Sequence, residues 1–395
     1  MSLLPLEEAQ ARLLALVSKM PGESVAVEDA LGRVLSGDLK AARTQPPADL
    51  SAMDGYAIAG AQGFAGPWEL VGESRAGVPF AGSLSAGQAT RISTGAHMPE
   101  GASSVLIQEN ATIADGKVSS DDPPPPGRHV RKRGFDFAQG DTVLHSGTRI
   151  GPAQLALAMS AGHAALEVAR RPTVAILDSG DELARDPAQC GSDQIPASNG
   201  AMIAAMLAPL VGETMRLGPV GDDLDALAQA LAKAEEADIL ITSGGASVGD
   251  HDLIQQALGD WGAQLAFWKV AIKPGKPLMV AKRGSQVVLG LPGNPVSSFV
   301  TCFLFGLPLA RATLGMRECL PQALTMRAGE ALPATGSRRE FLRGVADRSE
   351  VRIAASQDSS ALRALAEADC LIDRPVGSPE TAAGEPVQVY PLHNG

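Results

Sequence analysis

Aromatic residues make up only 4% of this 395-residue chain, so its cores must be built from aliphatic side chains, which the 45% hydrophobic content supplies. Cysteine is scarce. Cys190, Cys302, Cys319 and Cys370 show neither C-x-x-C pairing nor zinc-ligand spacing, which excludes a disulfide framework and fits a reducing, cytoplasmic setting. There is no basic excess: the net charge of −11 argues against nucleic acid as a partner. The longest apolar run, "FVTCFLFGLPLA" at 299–310, falls short of the roughly 20 residues that span a bilayer as a helix, so no membrane contact is expected. The N-terminal "MSLLPLEEAQARLLALV" has no basic leader or cleavage site and reads as an amphipathic helix. The expectation is a soluble chain of roughly two to four domains.

Glycine and proline, by contrast, are plentiful and divide the chain into textures. From about 46 to 150, short β-like runs such as "GYAIAG", "WELVGES" and "SSVLIQEN" alternate with glycines, as in a small all-β unit. A proline run, "DDPPPP", makes an extended spacer, and "GPAQLALAMSAGH" then reads as a helix. Between 172 and 316 the pattern changes to apolar strands ("TVAIL", "ETMRLGPV", "DILIT", "QVVLGL") alternating with helices. One of these helices starts at Asn199, taken as its cap, and another runs from about 295 to 314. Strands apolar on both faces predict a doubly wound, largely parallel sheet. The remaining C-terminal residues return to β-like runs, predicting a small barrel or sandwich.

In such a sheet, ligands bind beyond the carboxyl ends of the strands. Three strands here end in polar, glycine-rich loops: "TVAIL-DSGDEL", "DILIT-SGGASVGDHD" and "VVLGL-PGNPVSS". Backbone amides in such loops can cradle phosphate. Asp181, Glu182, Asp222, Asp223, Asp250 and Asp252 lie on the same predicted edge and predict a divalent cation site. Asp222 and Asp223 have a rival role as caps of the helix beginning "LDAL". Lys273 and Lys276 in "KVAIKPGKP" sit on a proline-stiffened turn that reads as an anion clamp. "GRHVRKRG" at 127–134 suits a solvated strand edge or a second anion site equally, and His251 reads as a solvated loop residue.

Taken together, "DLSAMDGYAI", "ATRISTGAHMPEGASSVLIQE", "VRKRGFDFAQGD", "SGDEL", "ITSGGASVGDHD", "FWKVAIKPGKP", "GLPGNPVSS" and "REFLRG" resemble the molybdopterin molybdenumtransferases, the family of MoeA and the gephyrin E domain. They run in family order over nearly the whole chain. The resemblance implies an α/β plus β fold: an elongated, multidomain subunit that dimerises. Segments 21–45 and 138–171 would form a discontinuous linker and dimerisation domain, and 46–137 a small, mostly β domain. Residues 1–20 and 172–318 would form a doubly wound, MogA/MoaB-like molybdopterin-binding domain, and 319–395 a C-terminal β-barrel-like domain. The cleft would lie between the sheet domain of one subunit and the domains of its partner.

The activity implied is insertion of molybdenum from molybdate into adenylated molybdopterin, with magnesium, anhydride cleavage and AMP release. Matching by motif places Asp54, Thr94, Asp136, Glu182, Asp222 and Asp252 in catalytic positions, with Glu182, Asp222 and Asp252 as cation ligands. Ser243, Gly244, Gly245, Ser247, Lys273, Lys276, Pro292, Gly293, Asn294, Pro295, Arg343 and Ser359 match substrate-binding positions. This chain departs from the family pattern at Asp178, at Ala197 (where an aspartate is usual), in "GFDF" and at Asp358. Implied partners are a second copy of the chain, the molybdopterin adenylyltransferase and molybdoenzyme maturation proteins. The rival readings are the adenylyltransferase itself, which resembles the sheet domain alone, and a carrier that binds molybdopterin without inserting metal.

Overall fold

The structure, a computed structural model, describes residues 3–60, 64–244 and 253–392. At its centre is a six-stranded sheet in the order Glu213–Arg216, Thr173–Asp178, Ile239–Ser243, Gln286–Leu291, Met279–Arg283, Gln264–Trp268. The first four strands are parallel, as their two-sided apolar character predicts. The last two add an antiparallel edge that the alternating pattern did not reveal.

Alternate residues of each strand feed different cores. Val174, Ile176, Ile239, Ile241, Val287 and Leu289 face one cluster. Ala175, Leu177, Leu240 and Val288 face the other, under the helices Leu224–Lys233 and Leu253–Asp260. Sequence-distant Leu6, Ala9 and Leu13, from the helix Leu6–Ala15, join the first cluster, so the N-terminus packs on this sheet.

The same cluster holds a continuous helix, Pro295–Thr313, whose length and composition would suit a membrane span. It is the core helix of the sheet domain, with 83% of its most apolar window buried. Pro308 lies within it and has no N–H to offer the carbonyl of Leu304, and a π-type turn occupies Cys302–Gly306. Gln10 answers this from the N-terminal helix: its Nε2 donates to the Leu304 oxygen at 2.9 Å.

Two further β units flank the sheet. The small one orders its strands as Ser104–Ile107, Gly55–Ile58, Gln88–Ile92, Trp68–Ser74, Lys117–Ser119, Thr112–Ala114 around buried Tyr56, Trp68 and Leu106. The chain enters and leaves it through paired segments: Gly22–Ala26 runs antiparallel to Ala165–Ala169, and Leu39–Lys40 to Thr142–Leu144. At the other end, five strands close into a barrel. Arg339–Asp347 pairs with both Glu350–Ile353 and Cys370–Arg374, and Leu324–Ala328 and Pro386–Pro391 complete the circuit. The barrel resolves the alternative of barrel or sandwich. Arg339 ties it to the N-terminal helix, bonding both Asp373 and Glu7.

Candidate functional site

The parallel register puts three strand ends level. Asp178 lies beside Ser243, and Ser243 beside Leu291, so the loops that follow emerge together. Backbone bonds join them: Ser179 N donates to Ser243 O at 3.1 Å, and Gly244 N to Leu291 O at 3.3 Å. Gly244 has φ +95°, and a Cβ there would meet the Ser179 carbonyl oxygen at 2.3 Å. Its glycine is therefore demanded by the neighbouring loop as well as by any ligand.

Asn199 fastens the group. It was expected to cap its helix, but Ser198 holds the cap position and makes no side-chain cap bond. Asn199 Nδ2 instead donates to Ser243 Oγ at 3.0 Å and to the Gly293 carbonyl at 2.6 Å. The start of this helix faces the adjacent strand, where the Gly200 amide lies against the Asp178 carboxyl. Asp178 is 1% exposed and pairs with Arg216 Nη2 at 2.8 Å. Burial pushes its carboxyl above the ordinary value, while Arg216 and the Gly200 amide pull it down. A Cβ on Gly200 would fall 2.3 Å from Asp178 Oδ2, so glycine at 200 makes room for this carboxylate.

These residues line one pocket, with Asp178, Ser179, Glu182, Ala197, Asn199, Ser243, Gly244, Gly293 and Pro295 on its walls. At its rim, Asp222 Oδ1 accepts from Ser179 Oγ at 3.2 Å, and Asp222 N donates to Asp181 Oδ1 at 3.0 Å. The rival cap role falls to Asp223 alone, which accepts from Ala226 N at 2.8 Å. Glu182 and Asp222 are exposed. Among the described residues, no three His, Cys, Asp or Glu side chains group closely enough to hold a metal. Gly245, Ser247, Asp250, His251 and Asp252, on which further expectations rested, lie outside the described residues.

The barrel touches the loop that forms one side of the pocket. Asn294 Nδ2 donates to Ser359 Oγ at 3.1 Å, and Val296 N to Ser359 O at 3.1 Å, so the "PGNP" loop and residue 359 are in direct contact. Pro292 is buried beside the exposed Gly293 and Asn294. Arg343 is placed differently from its expected anion contact. It is 1% exposed, and its Nη2 donates to the carbonyls of Ser356 and Asp358, both at 3.1 Å. The guanidinium supports the loop that carries Ser359 and presents no face to a bound anion. Gln357 reinforces that support, accepting from Arg343 N and donating to Arg343 O, both at 2.9 Å.

The two lysines of the expected clamp lie on one turn beside the barrel. Lys273 sits on the short strand Ile272–Lys273, which pairs with the barrel, and its ammonium faces Glu340 at 3.2 Å. A carboxylate partner already occupies it. Lys276 is exposed on the same turn. Gly275 holds that turn against the core helix, where a Cβ would meet Thr301 Cγ2 at 2.4 Å.

The other acidic positions lie on the small β unit. Asp54 and Thr94, far apart in sequence, are adjacent there: Thr94 N donates to Asp54 Oδ1 at 2.7 Å. Asp136 is exposed on the chain's return path, where its N–H donates to the Gln45 carbonyl at 3.0 Å. In "GRHVRKRG", Lys132 pairs with Asp49 at 2.8 Å and Arg133 Nε donates to the Pro47 carbonyl at 3.2 Å, so two of its four cationic side chains have local partners. Among the described residues, none from the small β unit lines the strand-end pocket. One chain therefore presents the expected catalytic set as two separate groups.

Comparison with known proteins identifies the family. Family models match end to end: "MoeA N-terminal region (domain I and II)" at 4–162, "Probable molybdopterin binding domain" at 175–312 and "MoeA C-terminal region (domain IV)" at 325–392. A molybdopterin molybdenumtransferase of Haemophilus influenzae is 33% identical, covering 99% of both chains. The chain belongs to the molybdopterin molybdenumtransferase family. Another member, from a Nostoc species, is 34% identical over 95% of this chain and 90% of its own. The solved structure of a Pyrococcus horikoshii MoeA protein superposes with a TM-score of 0.87 at 26% identity, covering 99% of this chain and 100% of that one. Like these relatives, the chain is a transferase that inserts molybdenum into molybdopterin. Full-length transferase relatives leave no place for the adenylyltransferase reading, which accounts for the sheet domain alone.

The sequence missed Asn199 as a bridge, and Asp178, Gly200 and Arg216 as its support. Asp178 carried a signal, because it breaks the family pattern immediately before "SGDEL".

Proposed function

We propose that the chain takes molybdopterin as its adenylate and works as a homodimer whose active site is shared between subunits. The supporting observation is the split acidic set. Glu182 and Asp222 rim the strand-end pocket, while the Asp54–Thr94 pair sits on a unit that, among the described residues, adds nothing to that pocket within its own chain. A two-fold dimer through segments 21–45 and 138–171 closes both sites at once, because each isologous contact occurs twice.

In this reading the strand-end loops, spaced by Asn199, hold the pterin phosphate. Water cleaves the anhydride to AMP and the molybdopterin phosphate, and the two dithiolene thiols displace one oxygen of molybdate, which leaves with their protons as water. Glu182 and Asp222 present hard oxygen donors of the kind magnesium takes, with Asp252 as the third ligand. The bound cation supplies positive charge where two anionic substrates meet. Lys276 and the loop amides offset the same repulsion from the protein side. Ser359, carried on the barrel loop that Arg343 props, fixes the "PGNP" edge through Asn294. Ala197 brings no carboxylate to the pocket, so cation ligation falls to the remaining acids.

Complementation tests the shared site. Asp54→Asn and Glu182→Gln are each expected to be inactive as homodimers, while mixed dimers regain one intact site and release AMP. Sedimentation should give twice the 40.6 kDa chain mass. Mixed dimers as inactive as either parent, or a monomer with full activity, would remove the shared site.

A further inference from the structure

The barrel, the sheet domain and the return segment after the small β unit meet around a second cavity of about 390 Å³, separate from the strand-end pocket. Its back wall is apolar, with Leu210 and Phe303 4% and 3% exposed. At its lip, Leu320 and Leu324 are 38% and 55% exposed. Two guanidiniums, those of Arg149 and Arg311, line the same space. Among the described residues neither forms a salt bridge, and the hydrogen bond that Arg311 makes is a long one of 3.3 Å to the Cys319 carbonyl. Glu318 also lines the cavity without pairing with either arginine.

The arginines crowd one another in a chain whose net charge is −11. Burial lowers the Arg311 guanidinium below its ordinary value; Cys319 opposes this, and the charge of Arg149 adds a smaller lowering. Arg171 is lowered by burial and then by Arg33 and Arg149. A Cβ built on Gly32 would stand 3.9 Å from Arg149 Nη2 and 3.7 Å from Arg171 Nη2, so Arg149 also has a like-charged neighbour behind it that does not itself line the cavity. Arg33 is already committed to Glu23 and to the Ala169 carbonyl. Unpaired guanidiniums against an apolar wall leave repulsion that an oxyanion relieves and surface that an apolar body covers.

We propose that this cavity binds a small organic anion, with its apolar part against Phe303 and Leu324 and an oxyanion head between Arg149 and Arg311. The volume falls in the range of small-molecule sites, about 300–1,000 Å³. The guanidinium fork suits a carboxylate or a phosphate head. Because its walls come from both the sheet domain and the barrel, an occupant also favours their docked arrangement.

Calorimetric titration of the full chain with 3-phenylpropionate and with phenylphosphate tests this and distinguishes the two head groups. At least one should bind at one site per chain, about tenfold or more tighter than its bare head, acetate or inorganic phosphate. Arg149→Gln should weaken that binding about tenfold or more, and Arg149→Gln with Arg311→Gln further. Arg149 is exposed, so the single variant decides the matter if the double one does not fold. Arg363→Gln, which removes a 92%-exposed arginine side chain elsewhere, should leave binding unchanged. The proposal fails if neither aromatic anion binds, or if the bare heads bind as tightly, which would mean an adventitious ion only. It also fails if Arg149→Gln has no effect or Arg363→Gln has the same effect.

Discussion

Asn199→Asp keeps the shape of the side chain and reverses its hydrogen-bonding role. Asn199 Nδ2 donates both to Ser243 Oγ at 3.0 Å and to the Gly293 carbonyl at 2.6 Å. Each such bond contributes about 0.5–1.5 kcal/mol net, so losing both costs about 1–3 kcal/mol in loop docking. An aspartate at the start of a helix gains about 0.3–1 kcal/mol from the helix dipole and can still accept from the Ser243 hydroxyl. Its second oxygen, however, would face the Gly293 carbonyl oxygen at hydrogen-bonding distance, and two acceptors repel. The loss therefore exceeds the gain, and it falls on the loops rather than on the helix. Affinity for adenylated molybdopterin, measured by calorimetry, should drop by about five- to hundredfold, while circular dichroism and the melting temperature stay close to wild type. Asn199→Ala, which removes the donors without adding repulsion, should fall between the two. An Asn199→Asp protein that binds substrate as wild type does would refute the claim that Asn199 sets the spacing of these loops.

Gln10→Leu should destabilise the protein by about 1–3 kcal/mol in chemical denaturation, because the buried Leu304 carbonyl loses its side-chain donor. Arg216→Met should lower stability most at neutral pH and hardly at all near pH 4. The folded Asp178 carboxyl already lies above its unfolded value, and removing Arg216 raises it further. That group's contribution to stability therefore declines as pH rises through the window above 3.8, and the window widens in the variant. Asp49→Asn should act in the opposite sense. Lys132 and the Arg133 amide hold Asp49 below its ordinary value, so its stabilisation is present above pH 3.8 and is lost as pH falls through the lower folded value. The variant should lose about 0.2–1 kcal/mol at pH 7, and the deficit should shrink on acidification in pH-dependent melting.

The parallel sheet was legible because its strands are apolar on both faces, and the loops because strand ends of one sheet share an edge whatever their sequence separation. The antiparallel edge, Gln264–Trp268 and Met279–Arg283, was not, because no helix separates these two strands from each other or from Gln286–Leu291 to mark where the direction reverses. The intrachain partners of individual residues were not legible where they come from far along the chain. Lys273 reads as a free cation until Glu340 is placed beside it, and Arg343 reads as an anion contact until the carbonyls of Ser356 and Asp358 enclose it. Asn199 stands where a cap belongs, and only the level register of three strands shows that its amide reaches two other loops. The Asp54–Thr94 pair was identified by motif, but its separation from the strand-end pocket is a tertiary fact that no local pattern encodes.

Incubation of the purified full chain with adenylated molybdopterin, magnesium and molybdate, followed for AMP and for metal-loaded cofactor, tests most directly what the strand-end pocket does. AMP should appear in step with molybdenum incorporation, require both molybdate and the cation, and be abolished by Glu182→Gln. AMP release that proceeds without molybdenum uptake, or tight substrate binding with neither product, would contradict insertion at this site and leave a pterin carrier in its place.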